Sequence, residues 1–181
     1  MNAILIALYF YLPAAVANMS ASLAKYVPVF NAIKTPVDFG FKLRGIRLIG
    51  DHKVWGAALF GVLAGLVSGI LRFKYFDPLF PNLTILELKF SEAFVLSFLL
   101  SFGAVSGDLI FSAIKRQLKI PPHRPFIPFD EVDHSLVSML LVRIFFSIPL
   151  QIIAIVILTF FILHIIANIL SWKLGIKNVP Y

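Results

Sequence analysis

The chain has no cysteine among its 181 residues. That excludes disulfides, thiolate nucleophiles and Cys-ligated metals, and it is silent about compartment. Charge is scarce as well: 14% of residues are charged, with nine acids against sixteen Lys and Arg. The four histidines, His52, His123, His134 and His164, fall on separate segments without an H-E-x-x-H spacing, so none is assigned a metal. Neither G-x-S-x-G nor G-x-x-x-x-G-K-[ST] occurs, which removes the nucleophile-elbow and P-loop signatures.

What is present is apolar. Hydrophobic residues make up 60% of the chain and the mean hydropathy is +0.93, whereas soluble domains are about half apolar. The few charges lie between long apolar runs, the pattern of helices crossing a bilayer with their connections in water. The expected fold is therefore an all-α integral membrane protein with about five transmembrane helices, at 2–24, 54–71, 90–111, 135–149 and 152–170, in a single domain. The first run starts without a basic n-region and is too long for a leader, so it reads as a spanning helix. Residues 135–170 form one nearly continuous apolar stretch, and Pro149 with Gln151 supplies its break.

Orientation follows from Lys and Arg. Lys25, Lys34, Lys42, Arg44, Arg47 and Lys53 lie in the loop 25–53, Lys115, Arg116, Lys119 and Arg124 in the loop 112–134, and Lys173 and Lys177 in the tail. Arg72, Lys74 and Lys89 lie on the opposite side. The positive-inside rule then places the N-terminus outside, with both long loops and the C-terminus in the cytoplasm. The net charge of +7 suits anionic headgroups or an anionic substrate rather than nucleic acid. Gly56, Gly61, Gly65 and Gly69 form a small-residue stripe suited to close helix packing.

The chemistry-bearing residues gather at one end. Asp108, Ser112 and Lys115 stand at i, i+4 and i+7, sharing one helix face with Arg116 at its edge. A carboxylate at a membrane helix end is expensive to maintain, and its bland explanation is an ion pair with Lys115 or Arg143. Asp130, Glu131 and Asp133 follow. Asp130 suits an N-cap and Asp133 the N3 position, yet three acids in four positions are best tolerated around a cation. Metal ligation is assigned to Asp108, Asp130 and Asp133, and Glu131 is expected to be solvated or outer-sphere. Carboxylates beside Lys and Arg suit a divalent cation carrying phosphates. Arg143, within the fourth span, is expected in a buried structural pair. The first loop adds Gly40, Gly45 and Gly50 among cations, a weak phosphate signal that equally fits lipid headgroups. Asn18 near the end of the first span suits interhelical hydrogen bonding.

Taken together, Ala17-Asn18-Met19, Pro36-Val37-Asp38-Phe39-Gly40, Arg47-Leu48-Ile49-Gly50-Asp51-His52-Lys53-Val54-Trp55-Gly56, Gly107-Asp108-Leu109 with Ser112-x-x-Lys115-Arg116, and Pro128-Phe129-Asp130-Glu131-Val132-Asp133 resemble the CDP-archaeol synthase family. They occur in family order and cover most of the chain, and the later blocks are similar to the C-terminal signature of CDP-diacylglycerol synthases. The resemblance implies a Mg²⁺-dependent cytidylyltransferase. Its reaction would join CTP to 2,3-bis-O-geranylgeranyl-sn-glycerol 1-phosphate, an isoprenoid ether lipid phosphate, giving CDP-unsaturated archaeol and pyrophosphate at the cell membrane. It further implies catalytic roles for Asp108, Lys115, Arg116, Asp130 and Asp133, and nucleotide contacts for Asn18, Pro36, Asp38, Gly50, Lys53 and Ser112. Two departures stand out. The family's Lys-Thr-Trp-Arg-Gly-like run is here Lys53-Val54-Trp55-Gly56-Ala57, and Glu131 replaces the usual Gln between the aspartates. Competing readings are a multi-pass transporter or ion-conducting protein, for which acids would be spread through the midplane, and a non-catalytic assembly subunit.

Overall fold

In a computed structural model, residues 3–121 and 124–175 are described. Lys177 and His123 lie outside them. Among these residues the chain forms α1 (Ala3–Leu23), the short α2 (Pro28–Asn31), α3 (Trp55–Leu71), α4 (Phe90–Gln117), α5 (Phe129–Phe145) and α6 (Leu150–Lys173). One antiparallel hairpin, β1 (Lys42–Leu43) with β2 (Ile46–Arg47), interrupts an otherwise helical fold. Its turn puts Arg44 and Gly45 at φ 51° and 80°, the paired positive values of a type I′ turn.

Among the described residues, four helices are long and apolar enough to cross a membrane: Ala3–Tyr26, Trp55–Phe76, Phe90–Gln117 and Leu150–Lys173. The expected fourth span, 135–149, differs: α5 has 17 residues, starts at Phe129 and ends at Phe145, a length of about 25 Å. The break before α6 lies at residues 146–149, with Pro149 in the N-cap position. The end of α4 lies beyond the expected span end at 111: the helix runs on to Gln117, so Ser112, Lys115 and Arg116 are helical, as their shared face requires.

The start of α5 corrects the expected capping. Pro128 occupies the N-cap position, putting Asp130 and Glu131 inside the first turn. Phe129 joins the helix because its ring packs on Phe126 at 4.6 Å and on Phe111 at 6.0 Å. Asp130 instead caps the preceding turn, its Oδ2 accepting the Phe126 N–H at 2.9 Å. The shifted helix start carries Glu131 onto the same face as His134, Ser135, Ser138 and Val142, all buried. Glu131 is therefore buried, not solvated. Arg143 is corrected in the opposite sense: it is exposed in the last turn of α5, where a cation meets the negative helix end.

The core is built by α1 against α3 and α4 against α5, with α6 resting on α1 and α5. Tyr11, Leu96, Leu100, Met139, Val142 and Val156 are almost completely enclosed. The Tyr11 and Ser138 hydroxyls lie 2.9 Å apart, so the one polar atom of this large buried ring is hydrogen-bonded. The glycine stripe of α3 is used for packing. A Cβ on Gly61 would sit 2.8 Å from the Ala17 carbonyl oxygen, and one on Gly65 would sit 2.6 Å from that of Pro13 and still closer to Ser101. In α4, Gly103 and Gly107 do the same against the α5 backbone at Ser138 and Asp133. Replacing Gly65 by Val would force α1 and α4 off α3, because backbone atoms cannot yield as a flexible side chain can. The expected result is a large fall in the unfolding temperature in detergent, measured by nanoscale fluorimetry. Val67→Ala, on the exposed face of the same helix, should shift it far less.

Candidate active site

The first loop is organised around Asp38. Its carboxylate accepts the Arg47 guanidinium at 2.7 Å and the backbone N–H groups of Gly40, Ile49 and Gly50 at 3.1, 2.9 and 3.0 Å. Burial alone would push its pKa up, but these hydrogen bonds outweigh burial and hold it well below the ordinary carboxylate range. Asp38 is thus committed to the loop. Pro36 pairs with Val54 in an isolated antiparallel bridge, and the Val37 N–H donates to the Lys53 carbonyl at 2.8 Å. Gly50, at φ 116°, lets the chain turn beside Arg116, whose guanidinium reaches the Ile49 carbonyl at 3.4 Å. These contacts fix Lys53 at the mouth of α3.

From there Lys53 reaches across to α4 and donates to both Asp108 oxygens, at 2.6 and 2.5 Å. Asp108 does form an ion pair, the alternative to metal ligation, but its partner is Lys53, fifty-five residues earlier, rather than Lys115 or Arg143. Lys115 pairs with Asp130 at 2.7 Å and also donates to the Arg124 carbonyl at 2.8 Å. Arg116 donates to the Ile120 carbonyl. Asp133 is 7% exposed, its carboxylate accepting the N–H of His134. It precedes the apolar part of α5, ahead of the expected span 135–149. Burial, and then the negative charge of Asp108, push its carboxyl up to about 8.

These groups enclose a polar cavity of about 360 Å³, lined by His52, Lys53, Asp108, Ser112, Lys115, Arg116, Asp130, Asp133 and His164. A second cavity of about 710 Å³ adjoins it between α1, α3, α4 and α6. Asn18 and Ser22 line it on α1, with Ala21, Ala57, Ala58, Val105, Leu109 and Ala167 as its apolar walls. Both volumes fall in the range of small-molecule sites. Asp108, Asp130, Asp133, Lys115, Arg116, Ser112 and Lys53 thus converge on the first cavity, and Asn18 lies on the second. Pro36, Asp38 and Gly50 line neither. They brace the loop that presents Lys53.

Histidine is what the sequence reading passed over. His52 and His164 line both cavities, and the His134 ring lies 5.8 Å from that of His164. A spacing rule built for zinc could not find them. The available signal was that His164, Ala167 and Ser171 recur at i, i+3 and i+7 in an otherwise apolar helix.

The whole chain, residues 1–181, matches the family described as CDP-archaeol synthase, CarS-like. The chain belongs to the CDP-archaeol synthase family. It is similar to the CDP-archaeol synthase of Pyrococcus furiosus, with 34% identity over all of both chains. It is also similar to that of Methanocaldococcus jannaschii, with 35% identity over 95% of this chain and 94% of the relative. A solved structure described as an intramembrane enzyme for archaeal membrane lipids biosynthesis superposes with a TM-score of 0.69 at 28% identity, covering 90% of this chain and 92% of that one. Membership makes this chain a membrane-embedded cytidylyltransferase of archaeal lipid biosynthesis, which the resemblance had implied.

The oxygen donors of the polar cavity, three carboxylates and the Ser112 hydroxyl, fit a hard divalent cation, and the His52 and His164 imidazoles line the same cavity. Among the described residues no three acids or histidines close into a ready cage. Instead, ammonium groups stand against Asp108 and Asp130, and Asp133 resists ionising alone.

Proposed function

We propose that the two adjoining cavities bring together CTP and 2,3-bis-O-geranylgeranyl-sn-glycerol 1-phosphate, forming CDP-unsaturated archaeol and pyrophosphate. The observation that carries this reading is that one polar cavity gathers three aspartates with Lys53, Lys115 and Arg116, and adjoins a larger cavity that sets apolar Ala57, Ala58, Val105, Leu109 and Ala167 beside Asn18, Ser22 and Ser171. Triphosphate and isoprenoid chains require those two environments side by side.

Two anions must approach, so neutralisation and alignment are the main tasks. A lipid phosphate oxygen attacks the α-phosphorus of CTP. The new P–O bond forms as the bridging bond to the β-phosphate breaks, and that electron pair leaves on pyrophosphate. The attacking group is already ionised near neutral pH, so it needs no general base. Asp108, Asp130 and Asp133 would hold Mg²⁺, which when bound shields the phosphate charge. With Asp108 and Asp130 given to that cation, Lys53 and Lys115, which pair with them here, would be free to meet phosphate oxygens. Arg116, held by the loop and by the turn after α4, adds a fixed positive charge for the leaving pyrophosphate. Ser112 hydrogen-bonds phosphate, and Asn18 meets the nucleotide from α1.

The test is pyrophosphate release by the purified protein in detergent with Mg²⁺, CTP and the unsaturated ether lipid phosphate, each omitted in turn. Release requiring all three, with CMP appearing on the lipid, is expected. Ion flux in vesicles without such release would favour the transporter reading instead.

Five crossings, with the N-terminus outside and the cavity facing the cytoplasm, complete the proposal, and the basic loops support it. Because the chain has no cysteine, single-cysteine variants report topology without background. Lys42→Cys should react with an impermeant maleimide only when the cytoplasmic face is open, and Leu79→Cys only from outside. Reversed labelling would invert the assignment.

A further inference from the structure

We propose that the β1–β2 hairpin of the first loop is seated in the bilayer interface, its apolar face among the outermost acyl carbons and its cations against anionic lipid headgroups. This surface lies outside the two cavities, so its role is independent of cytidylyl transfer. The register of the hairpin sets its two faces. Lys42 pairs with Arg47 and Leu43 with Ile46, and the Leu48 N–H donates to the Phe41 carbonyl at 3.0 Å, which extends the ladder by one pair. Side chains alternate along each strand, and paired residues share a face. Phe41, Leu43, Ile46 and Leu48 therefore stand on one side, with Lys42 and Arg47 on the other.

A hairpin that packs on a protein in water turns its apolar face inward and its charged face out. Here the arrangement is reversed. Arg47 is held by the buried Asp38 at 2.7 Å, so the loop engages the charged face, whereas Phe41 and Leu43 are 58% and 43% exposed. Phe39 adds a further ring. It is 73% exposed, although its φ of 48° is a left-handed conformation that a bulky side chain adopts only at a cost. Water penalises all three side chains, and acyl chains do not.

Position and charge identify the occupant. The hairpin lies in the connection between two spans, Ala3–Tyr26 and Trp55–Phe76, so a bilayer surface borders it. The Phe39 ring is 6.1 Å from that of Trp55, the first residue of the second of these spans, where aromatic rings sit at headgroup level. The two acids of the loop, Asp38 and Asp51, both pair with Arg47. Lys34, Lys42 and Arg44 are left as a positive rim suited to anionic headgroups. Basic amphipathic helices lie on membranes by the same division of faces. The Arg47–Asp38 pair then connects the seated hairpin to the loop that presents Lys53.

The experiment uses the full chain, which has no cysteine, in vesicles of mixed phosphatidylcholine and phosphatidylglycerol. A nitroxide is attached through Phe41→Cys, Leu43→Cys or Lys42→Cys. Its collisions with oxygen, which concentrates in the bilayer, are compared with those with a water-soluble nickel chelate. Labels at 41 and 43 are expected about 5–10 Å inside the boundary between headgroups and acyl chains, where oxygen collisions dominate. The label at 42 is expected in the headgroup or water layer, where nickel collisions dominate. Phe39→Cys repeats the reading at the level of Trp55 should either apolar-face variant aggregate. Nickel collisions at 41 and 43 as frequent as at 42 overturn the proposal. Labels shielded from both reagents overturn it as well, in favour of a protein on this face, such as a second copy of the chain. In vesicles of phosphatidylcholine alone, the labels at 41 and 43 are expected to move toward water. An unchanged depth there would overturn the headgroup role given to Lys34, Lys42 and Arg44.

Discussion

Asp108→Asn is expected to lower kcat/KM for cytidylyl transfer by about a thousandfold or more while the protein still elutes as a folded species in detergent. Two losses combine. The carboxylate is one of three that would hold the cation, and an amide oxygen is a much poorer partner for a hard divalent ion. The change also strands Lys53, whose ammonium contacts both Asp108 oxygens. An unpaired ammonium in the cavity would seize a phosphate oxygen in a fixed position instead of arriving as the metal binds. Lys53→Met should therefore cost less by itself, and the double variant should be no worse than Asp108→Asn, since the two residues act as one unit. Initial rates for the four proteins, with circular dichroism as the folding control, test this. Full activity in folded Asp108→Asn would remove Asp108 from the chemistry.

Withdrawal of the metal should have an effect of the same size. Chelation with EDTA is expected to reduce pyrophosphate release to background, and added Mg²⁺ to restore it. The structure gives a sharper form of this prediction at Asp133. Its carboxyl, pushed up to about 8 by burial and by Asp108, is substantially protonated at neutral pH until a cation arrives. Metal binding must therefore compete with a proton there. The Mg²⁺ concentration needed for half-maximal rate should fall as pH rises from about 6.5 to 8.5, because deprotonation of a group with a raised pKa is completed only above that value. Asp133→Asn should raise the Mg²⁺ requirement about tenfold and flatten that pH dependence. Mn²⁺ binding followed by electron paramagnetic resonance gives the same comparison without turnover. A pH-independent Mg²⁺ requirement in the unmodified protein would refute the coupling.

How much of this was legible beforehand differs by kind. Long apolar runs announced the membrane helices because hydropathy is a local property, and Pro149 marked the last break because proline lacks the donor a helix needs. The i, i+4, i+7 spacing of Asp108, Ser112 and Lys115 put them on one face, and the structure finds all three on one cavity. Residue type alone misplaced Asp130, since aromatic packing of Phe129 starts the helix one position before the best capping side chain. It also misjudged Glu131, whose burial depends on which face of α5 meets the bundle, and Arg143, whose depth depends on where α5 ends.

The sequence by itself determined the environment of the chain, the helical class, the close packing of the α3 glycines and the residue types available for binding a metal and phosphates. Each follows from composition or from neighbours within a turn of helix. Only the tertiary structure decided which of those residues meet. Lys53 finds Asp108 because the Pro36–Val54 pairing and the Asp38-centred loop aim it across the bundle. Asp133 is buried beside α4 because Gly107 admits the α5 backbone. His164 reaches the site because α6 returns to the end where α1, α4 and α5 converge. Contacts between residues far apart in the chain depend on how helices pack, and helix packing is a property of whole surfaces that no local pattern records.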